Sequence, residues 1–355
     1  MKRSFVTQLL WCAALAGFPI LAQDDGPGLG TSYTQTNLVA DTAGVAANTD
    51  PQLVNAWGVS TLGSGPWWVN AQRTGLSLVY NSTGAPYPAG DPLIVAVPPA
   101  AGTSPGSPTG IVSNATSDFQ VGSGQPAAFI FCTLDGTISG WNPSASPVTA
   151  ITRVTTAGAV YTGLAMGQMS GANVLYVANF ASGAVEVYDA NFAWVTMPAG
   201  AFTDPGVPTG YAPFNVQNIG GNIFVAWTSQ SSSGTGVGYV DEFSPTGTLL
   251  MQFEAGSWLN SPWGIAMAPI TFGSLGGRLL VGNLVSGEIA AFNTRNGKFV
   301  KMVTDADGQP IVIDGLWGIK FGSGGLSGSP KALFFAAGPS GGAHGLFGTI
   351  TSSGR

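Results

Sequence analysis

Ser261-Pro262-Trp263-Gly264-Ile265 and Gly315-Leu316-Trp317-Gly318-Ile319 are two copies of one unit: a small or aromatic residue, then Gly, then an aliphatic residue. The unit returns as Ala56-Trp57-Gly58-Val59, Pro108-Thr109-Gly110-Ile111 and Tyr161-Thr162-Gly163-Leu164, with a degenerate copy in Tyr211-Ala212-Pro213-Phe214-Asn215-Val216. With Trp57, Thr109, Thr162, Phe214, Trp263 and Trp317 as markers, the spacings are 52, 53, 52, 49 and 54 residues. Six copies at a near-constant period define a repeat architecture.

Each copy repeats the same internal order. A polar, Gly-rich turn follows the marker, and then an apolar run: Trp67-Trp68-Val69, Ala128-Phe129-Ile130-Phe131, Val174-Leu175-Tyr176-Val177, Ile223-Phe224-Val225-Ala226, Arg278-Leu279-Leu280-Val281 and Ala332-Leu333-Phe334-Phe335. A glycine stands five residues before an aromatic in Gly75/Tyr80, Gly136/Trp141, Gly183/Tyr188 and Gly287/Phe292. Between them the chain alternates, as in Ala184-Val185-Glu186-Val187-Tyr188, the pattern of a half-buried strand. A turn and a fourth, shorter strand lead to the next marker. Four short strands per repeat of this length describe a β-propeller blade. A β-sandwich does not predict six equal copies, and a β-solenoid needs a shorter period.

The expected fold is therefore an all-β, six-bladed β-propeller of four-stranded antiparallel blades. Blades are expected near 53–107, 108–160, 161–210, 211–259, 260–313 and 314–350, in a single domain over 23–355. The sixth copy runs out after its third strand, Gly345-Leu346-Phe347-Gly348-Thr349-Ile350, while Thr31 to Ala40 precedes the first marker and belongs to no complete blade. The N-terminal stretch 31–40 is thus expected to supply the last blade's outer strand and close the ring.

Composition excludes several classes. Of 355 residues only 8% are charged, with a net charge of -6, so no basic stripe exists for nucleic acid or an anionic membrane. The 53 Gly and 24 Pro demand many turns, but 45% apolar residues and 10 Trp, 19 Phe and 8 Tyr separate the chain from disordered Gly/Pro-rich sequences. One histidine rules out a zinc site built from several imidazoles. Cys12 and Cys132 make no disulfide framework. Met1-Lys2-Arg3, the apolar stretch Leu9 to Ala22 and the acidic pair Asp24-Asp25 read as a secretory signal peptide over 1–22. The expectation is an exported monomer, periplasmic or secreted.

The segments TQTNLVADTAG (35–45), TDPQLVNAWGVS (49–60), DGTISGWNP (135–143), YVANFASGAVEVYD (176–189), FTDPGVPTGYAPFNVQNIGG (202–221), LNSPWGIAMAP (259–269), DGLWGIKFG (314–322) and AHGLFGTI (343–350) resemble a conserved hypothetical family of exported bacterial proteins. That family consists of NHL-like six-bladed propellers. The resemblance covers about residues 33 to 350 and implies a propeller and export, with no particular activity. Many members of that family carry a C-terminal PEP-CTERM sorting tail; Arg355 ends this sequence without one, which favours a free exported protein.

A propeller's ligand site is expected at the mouth of its central channel. The residues just past each apolar run are Asn70, Thr133, Asn179, Thr228 and Asn283, with Gly338 in the sixth place. Their oxygens suit Ca2+ when a carboxylate joins them, and the metal candidates are Asn179, Asn283 and Asp314. Equally, Asn and Thr in this place cap turns. Asp135 reads as an Asp-Gly turn, and Asp204 and Asp241 are further carboxylates. His344 in its Gly-rich loop is the one imidazole, a general base or a hydrogen-bonded loop residue. The marker tryptophans Trp57, Trp263 and Trp317 are expected between blades; Trp67, Trp68, Trp194 and Trp258 depart from the repeat and, where exposed, suit sugars or hydrophobic ligands. No G-x-S-x-G elbow or P-loop is present. The leading functional expectation is a binding module for a protein, peptide, glycan or small molecule. The alternatives are a Ca2+-dependent hydrolase or lactonase and a structural surface-layer role.

Overall fold

The computed structural model describes residues 31–101 and 105–353, and in it each marker opens the innermost strand of a sheet. The first blade runs Ala56–Ser60, Trp67–Ala71, Leu76–Tyr80 and Ile94–Ala96 outward from the axis. The inner strands of the next four blades are Pro108–Ser113, Tyr161–Met169, Tyr211–Ile219 and Pro262–Met267, each followed by three antiparallel partners in chain order. The chain is a six-bladed β-propeller. The signal-peptide segment expected at 1–22 lies outside the described residues.

The sixth blade closes the ring with both ends of the chain. Leu316–Phe321, Ala332–Ala337 and Leu346–Ser352 form its inner three strands, and Tyr33–Ala40 pairs antiparallel with the third, from Tyr33 opposite Ser352 to Ala40 opposite Leu346. A short parallel addition, Asn48–Thr49, extends the outer edge. The closing strand is anchored sideways as well. Tyr33 is buried, its hydroxyl donates to Phe272 O (3.0 Å) and accepts from Leu275 N (3.1 Å), and its ring packs on Phe272 in the fifth blade.

Both faces of every blade are covered by a neighbour, so the second strand has no solvent face and its sequence is a continuous apolar run rather than an alternation. Trp67 and Trp68 show the consequence. Adjacent on one strand, they point to opposite faces: Trp67 packs with Phe334 and Phe347 of the sixth blade, Trp68 with Phe129, Phe131 and Trp141 of the second. Six interblade cores follow, among them Tyr176 and Val187 against Val216 and Val225, and Phe224 and Val240 against Leu279 and Phe292. The glycine five residues before each aromatic turns the chain between second and third strands. Gly75, Gly136, Gly183 and Gly287 all have φ between 72° and 78°, a conformation open to Gly at no steric cost.

Tyr33→Phe should test the lateral anchor. It removes the hydroxyl that bridges Phe272 O and Leu275 N, which keep their own bond (3.2 Å), and stability should fall by about 1 kcal/mol. Urea unfolding of the purified protein measures this; an unchanged midpoint would show that the closing strand is held by its sheet pairing alone.

Candidate functional site

At the axis the six inner strands converge, and the repeated glycine is what lets them. A Cβ on Gly58 would stand 2.3 Å from Thr109 O, on Gly264 2.6 Å from Trp317 O, and on Gly318 2.7 Å from Trp57 O. Each marker glycine abuts the backbone of the next blade's marker unit, leaving no space for a side chain. The degenerate fourth copy solves the same contact differently: Asn215 replaces glycine, and its Nδ2 donates to Trp263 O of the fifth blade (2.7 Å).

The markers meet on the axis, where those of four blades share one buried core as expected of packing between blades. Trp57 stacks on Trp317 (centroids 3.4 Å, 16°), and Trp263 meets both edge-on at 6.2 and 6.0 Å. Phe214 packs on Trp317 at 5.7 Å. Trp263 Nε1 reaches the third blade's Thr162 O (2.9 Å), and Trp317 Nε1 donates to Asn55 Oδ1 (3.0 Å). The second and third blades place small Thr109 and Thr162 here, and Thr109 Oγ1 donates to Tyr161 O (2.7 Å). Six bulky markers would not fit around one axis; four aromatics fill it.

This cluster closes one end of the channel. Beyond it a well of about 550 Å³ runs along all six inner strands towards their C-terminal ends, within the volume range of small-molecule sites. Ile111, Leu164, Ile265 and Ile319 contribute aliphatic wall, and Trp263 lines the closed end. The third residue after each marker lines the well in every blade: Ser60, Val112, Ala165, Gln217, Ala266 and Lys320. Four are small or aliphatic and leave the space open. Two carry functional groups. Lys320 is the single charged residue among the described ones lining the well, and burial pulls its ammonium pKa down. Among the described residues neither Lys320 nor Gln217 has a side-chain hydrogen bond, and Lys320 has no ion pair. Asn218, also lining, is engaged: it donates to Met166 O (2.9 Å) and accepts from Gly221 N (3.1 Å).

The residues singled out at the ends of the second strands lie at the plugged end instead. Antiparallel register sets Thr133 opposite Pro108, Asn179 opposite Tyr161, Thr228 opposite Ala212 and Asn283 opposite Pro262, all at the starts of inner strands. Their side chains are buried and tie down the surrounding loops. Asn70 donates to Thr109 O (2.9 Å), and Thr133 Oγ1 accepts from Thr137 N (3.0 Å). Asn179 accepts from Val160 N (3.2 Å) and donates to Glu186 Oε1 (2.7 Å). Thr228 donates to Ser261 Oγ (2.9 Å); Asn283 accepts from Asn260 N (2.8 Å) and donates to Trp258 O (3.1 Å). In the sixth place a Cβ on Gly338 would collide with Asn55 Oδ1 at 1.9 Å.

Asn179, Asn283 and Asp314 are not brought together as a ligand set. Asp314 is exposed and accepts from Ser340 N (2.8 Å). Asp135 accepts from Ala100 N (2.7 Å). His344 is half exposed, its Nδ1 3.0 Å from Asp41 Oδ2, a pair that fastens the segment following the closing strand. Among the described residues no group of three or more His, Cys, Asp or Glu side chains is arranged to hold a metal ion. Of the unusual tryptophans, Trp67 and Trp68 are core, Trp258 stacks on Phe299 at 4.3 Å, and Trp194 is exposed. Burial pushes the Cys132 thiol up to about 12, which makes it unreactive.

One buried acid stands out. Burial first, and then the charge of nearby Asp204, pushes Asp241 up to about 8, while Asp204 itself accepts from Gly206 N (2.7 Å) and from Gln252 Nε2.

No family model matches this chain. Uncharacterized protein R648 of Acanthamoeba polyphaga mimivirus is 32% identical to it over 308 residues, which cover 81% of this chain and 74% of that protein. The chain belongs to the family of R648. Uncharacterized protein L690 of the same virus is 29% identical over 313 residues, covering 83% of this chain and 80% of its own. Among solved structures, a structural-genomics protein of unknown function from Bacteroides thetaiotaomicron aligns with a TM-score of 0.56 at 10% identity, over 91% of this chain and 76% of its own. A streptogramin B lyase aligns at 0.53 and 12%, over 91% and 98%. The PQQ-bound aldose sugar dehydrogenase of Streptomyces coelicolor aligns at 0.52 and 13%, over 92% and 100%. At these identities the shared property is the propeller fold.

The raised acid gives this family member a pH signature. Unfolded, Asp241 ionises near the ordinary value of about 3.9; folded, it holds its proton to about 8. The native state therefore binds more protons across that window, and the contribution of Asp241 to stability is lost as pH rises through it. Asp241→Asn should melt higher than the wild type at pH 8 and lose that advantage at pH 4. Melting curves across this range check it, and parallel curves for the two proteins would refute it.

Proposed function

We propose that this chain is an exported binding module that takes a small-molecule ligand, or the protruding end of a peptide or glycan, into the central well. The observation that carries this reading is the well itself: all six blades line it, an aromatic cluster closes one end, and two of its long polar side chains, Lys320 and Gln217, are unengaged among the described residues. Sites of this kind bury most of a small ligand against apolar walls and orient it with a small number of polar contacts. The expectation of a channel-mouth site is thereby moved to the other end of the channel, away from the loops held by Asn70, Asn179 and Asn283. The Ca2+-dependent hydrolase or lactonase reading needs oxygens that Asn179 and Asn283 already spend on Val160 N and Asn260 N.

Export, to the periplasm or beyond, is supported by the basic start Met1-Lys2-Arg3, the apolar run ending at Ala22 and the likeness to the exported bacterial family of NHL-like propellers. N-terminal sequencing of the protein recovered from the periplasm or medium of an expressing bacterium should begin at Gln23; intact Met1 on cytosolic protein would refute it.

Thermal-shift screening with sugars, lactones, short peptides and organic acids should find a ligand that raises the melting temperature of the wild type. Ser113→Trp, which places an indole in the wall of the well, should weaken that ligand about tenfold or more. A ligand indifferent to this substitution binds elsewhere and overturns the reading. Calcium and EDTA should leave the melting temperature unchanged; a Ca2+-dependent rise abolished by Asn179→Ala with Asn283→Ala would favour the metal enzyme.

A further inference from the structure

We propose that the ligand of the central well is an organic anion, a carboxylate with an apolar body, whose head group is held by the Lys320 ammonium. This rests on the binding reading above and adds the chemistry of the ligand. Lys320 occupies a repeat position that is Ser, Val, Ala, Gln or Ala in the other five blades. Among the described residues that line the well there is no Asp or Glu to pair with it, and it makes no ion pair or hydrogen bond. Lys320 is partly buried, and the hydration a cation loses there without a partner is made good when an opposite charge arrives. Charge-assisted N–H···O contacts in such surroundings are strong. The chain is acidic overall, with a net charge of -6, yet places one cation and no acid among the described residues along this well.

The rest of the well limits the anion. One ammonium balances one negative charge, which suits a carboxylate better than a phosphate dianion. Ile111, Leu164, Ile265 and Ile319, with Trp263 at the end, give the body of the anion apolar contacts beside the hydroxyl and amide groups of Ser60, Ser113, Gln217 and Asn218. Gln217, at the equivalent position of the fourth blade, offers an amide free to donate or accept. The lowered pKa of Lys320, caused by burial alone, agrees with a cation awaiting its counter-charge.

The test compares octanoate, octan-1-ol and octylamine by calorimetry and by the fluorescence of the tryptophan cluster. Octanoate should bind the wild-type protein about tenfold or more tighter than octanol, and octylamine more weakly than either. Lys320→Met, which keeps the length of the side chain and removes its charge, should cut octanoate affinity about tenfold or more and leave octanol within about threefold. Retained octanol binding shows that the well is intact; if Lys320→Met does not fold, Lys320→Gln takes its place. Equal affinities for octanoate and octanol, or octanoate binding untouched by Lys320→Met, overturn the anion inference and leave the binding module standing. A ligand from the screen that is Ser113→Trp-sensitive but neutral or cationic does the same. Octanoate that binds Ser113→Trp as well as the wild type overturns both.

Discussion

The structure depends on how closely six strands can approach one axis. With glycine at 58, 110, 163, 264 and 318, each inner strand lies against its neighbour's backbone at distances that no Cβ tolerates. That contact sets the radius of the channel. A narrow axis then decides what the adjacent markers can be, because six large side chains cannot share it. Trp57, Phe214, Trp263 and Trp317 fill the space while Thr109 and Thr162 yield it. The crowding closes one end of the channel, while further along the inner strands, where no aromatic marker reaches the axis, the well stays open.

Closure of the ring is the second constraint and is local in a different sense. Five blades are built from consecutive strands, and only the sixth joins residues more than three hundred positions apart. The closing strand is held by its ladder with Leu346–Ser352 and by Tyr33 reaching into the fifth blade. Because every interblade core is shared by two sheets, loosening this strand exposes apolar surface on its own blade and on the first, where Leu38, Val39 and Phe347 pack against Trp67 and Tyr80.

The candidate site follows from a break in the repeat rather than from the repeat. Asn70, Asn179 and Asn283 recur at one position because they hold the inner strands: Asn179 and Asn283 cap the loops entering theirs, and Asn70 donates to Thr109 O in the next blade's. Recurrence at a blade position therefore signals construction. Lys320 and Gln217 do not recur, and among the described residues they are the long polar side chains left without partners in the well. The signal was present in the marker-plus-three positions, where a lysine and a glutamine stand among Ser, Val and Ala, but it has meaning only once those positions are known to face the well.

Blade number, strand order within a blade and the completion of the last blade by the N-terminal stretch were readable in the amino-acid sequence, because each depends on spacing, alternation and turn residues that act over a few positions. Which end of the channel is open was not. That outcome depends on side chains from blades one, four, five and six meeting across the axis, a contact among residues up to 260 positions apart (Trp57 and Trp317) that no local pattern encodes. The fate of the buried groups was equally hidden. Whether an Asn caps a loop, an Asp keeps its proton or a Lys lacks a partner depends on which neighbours the closed ring delivers, and those neighbours come from other blades or from segments distant in the chain.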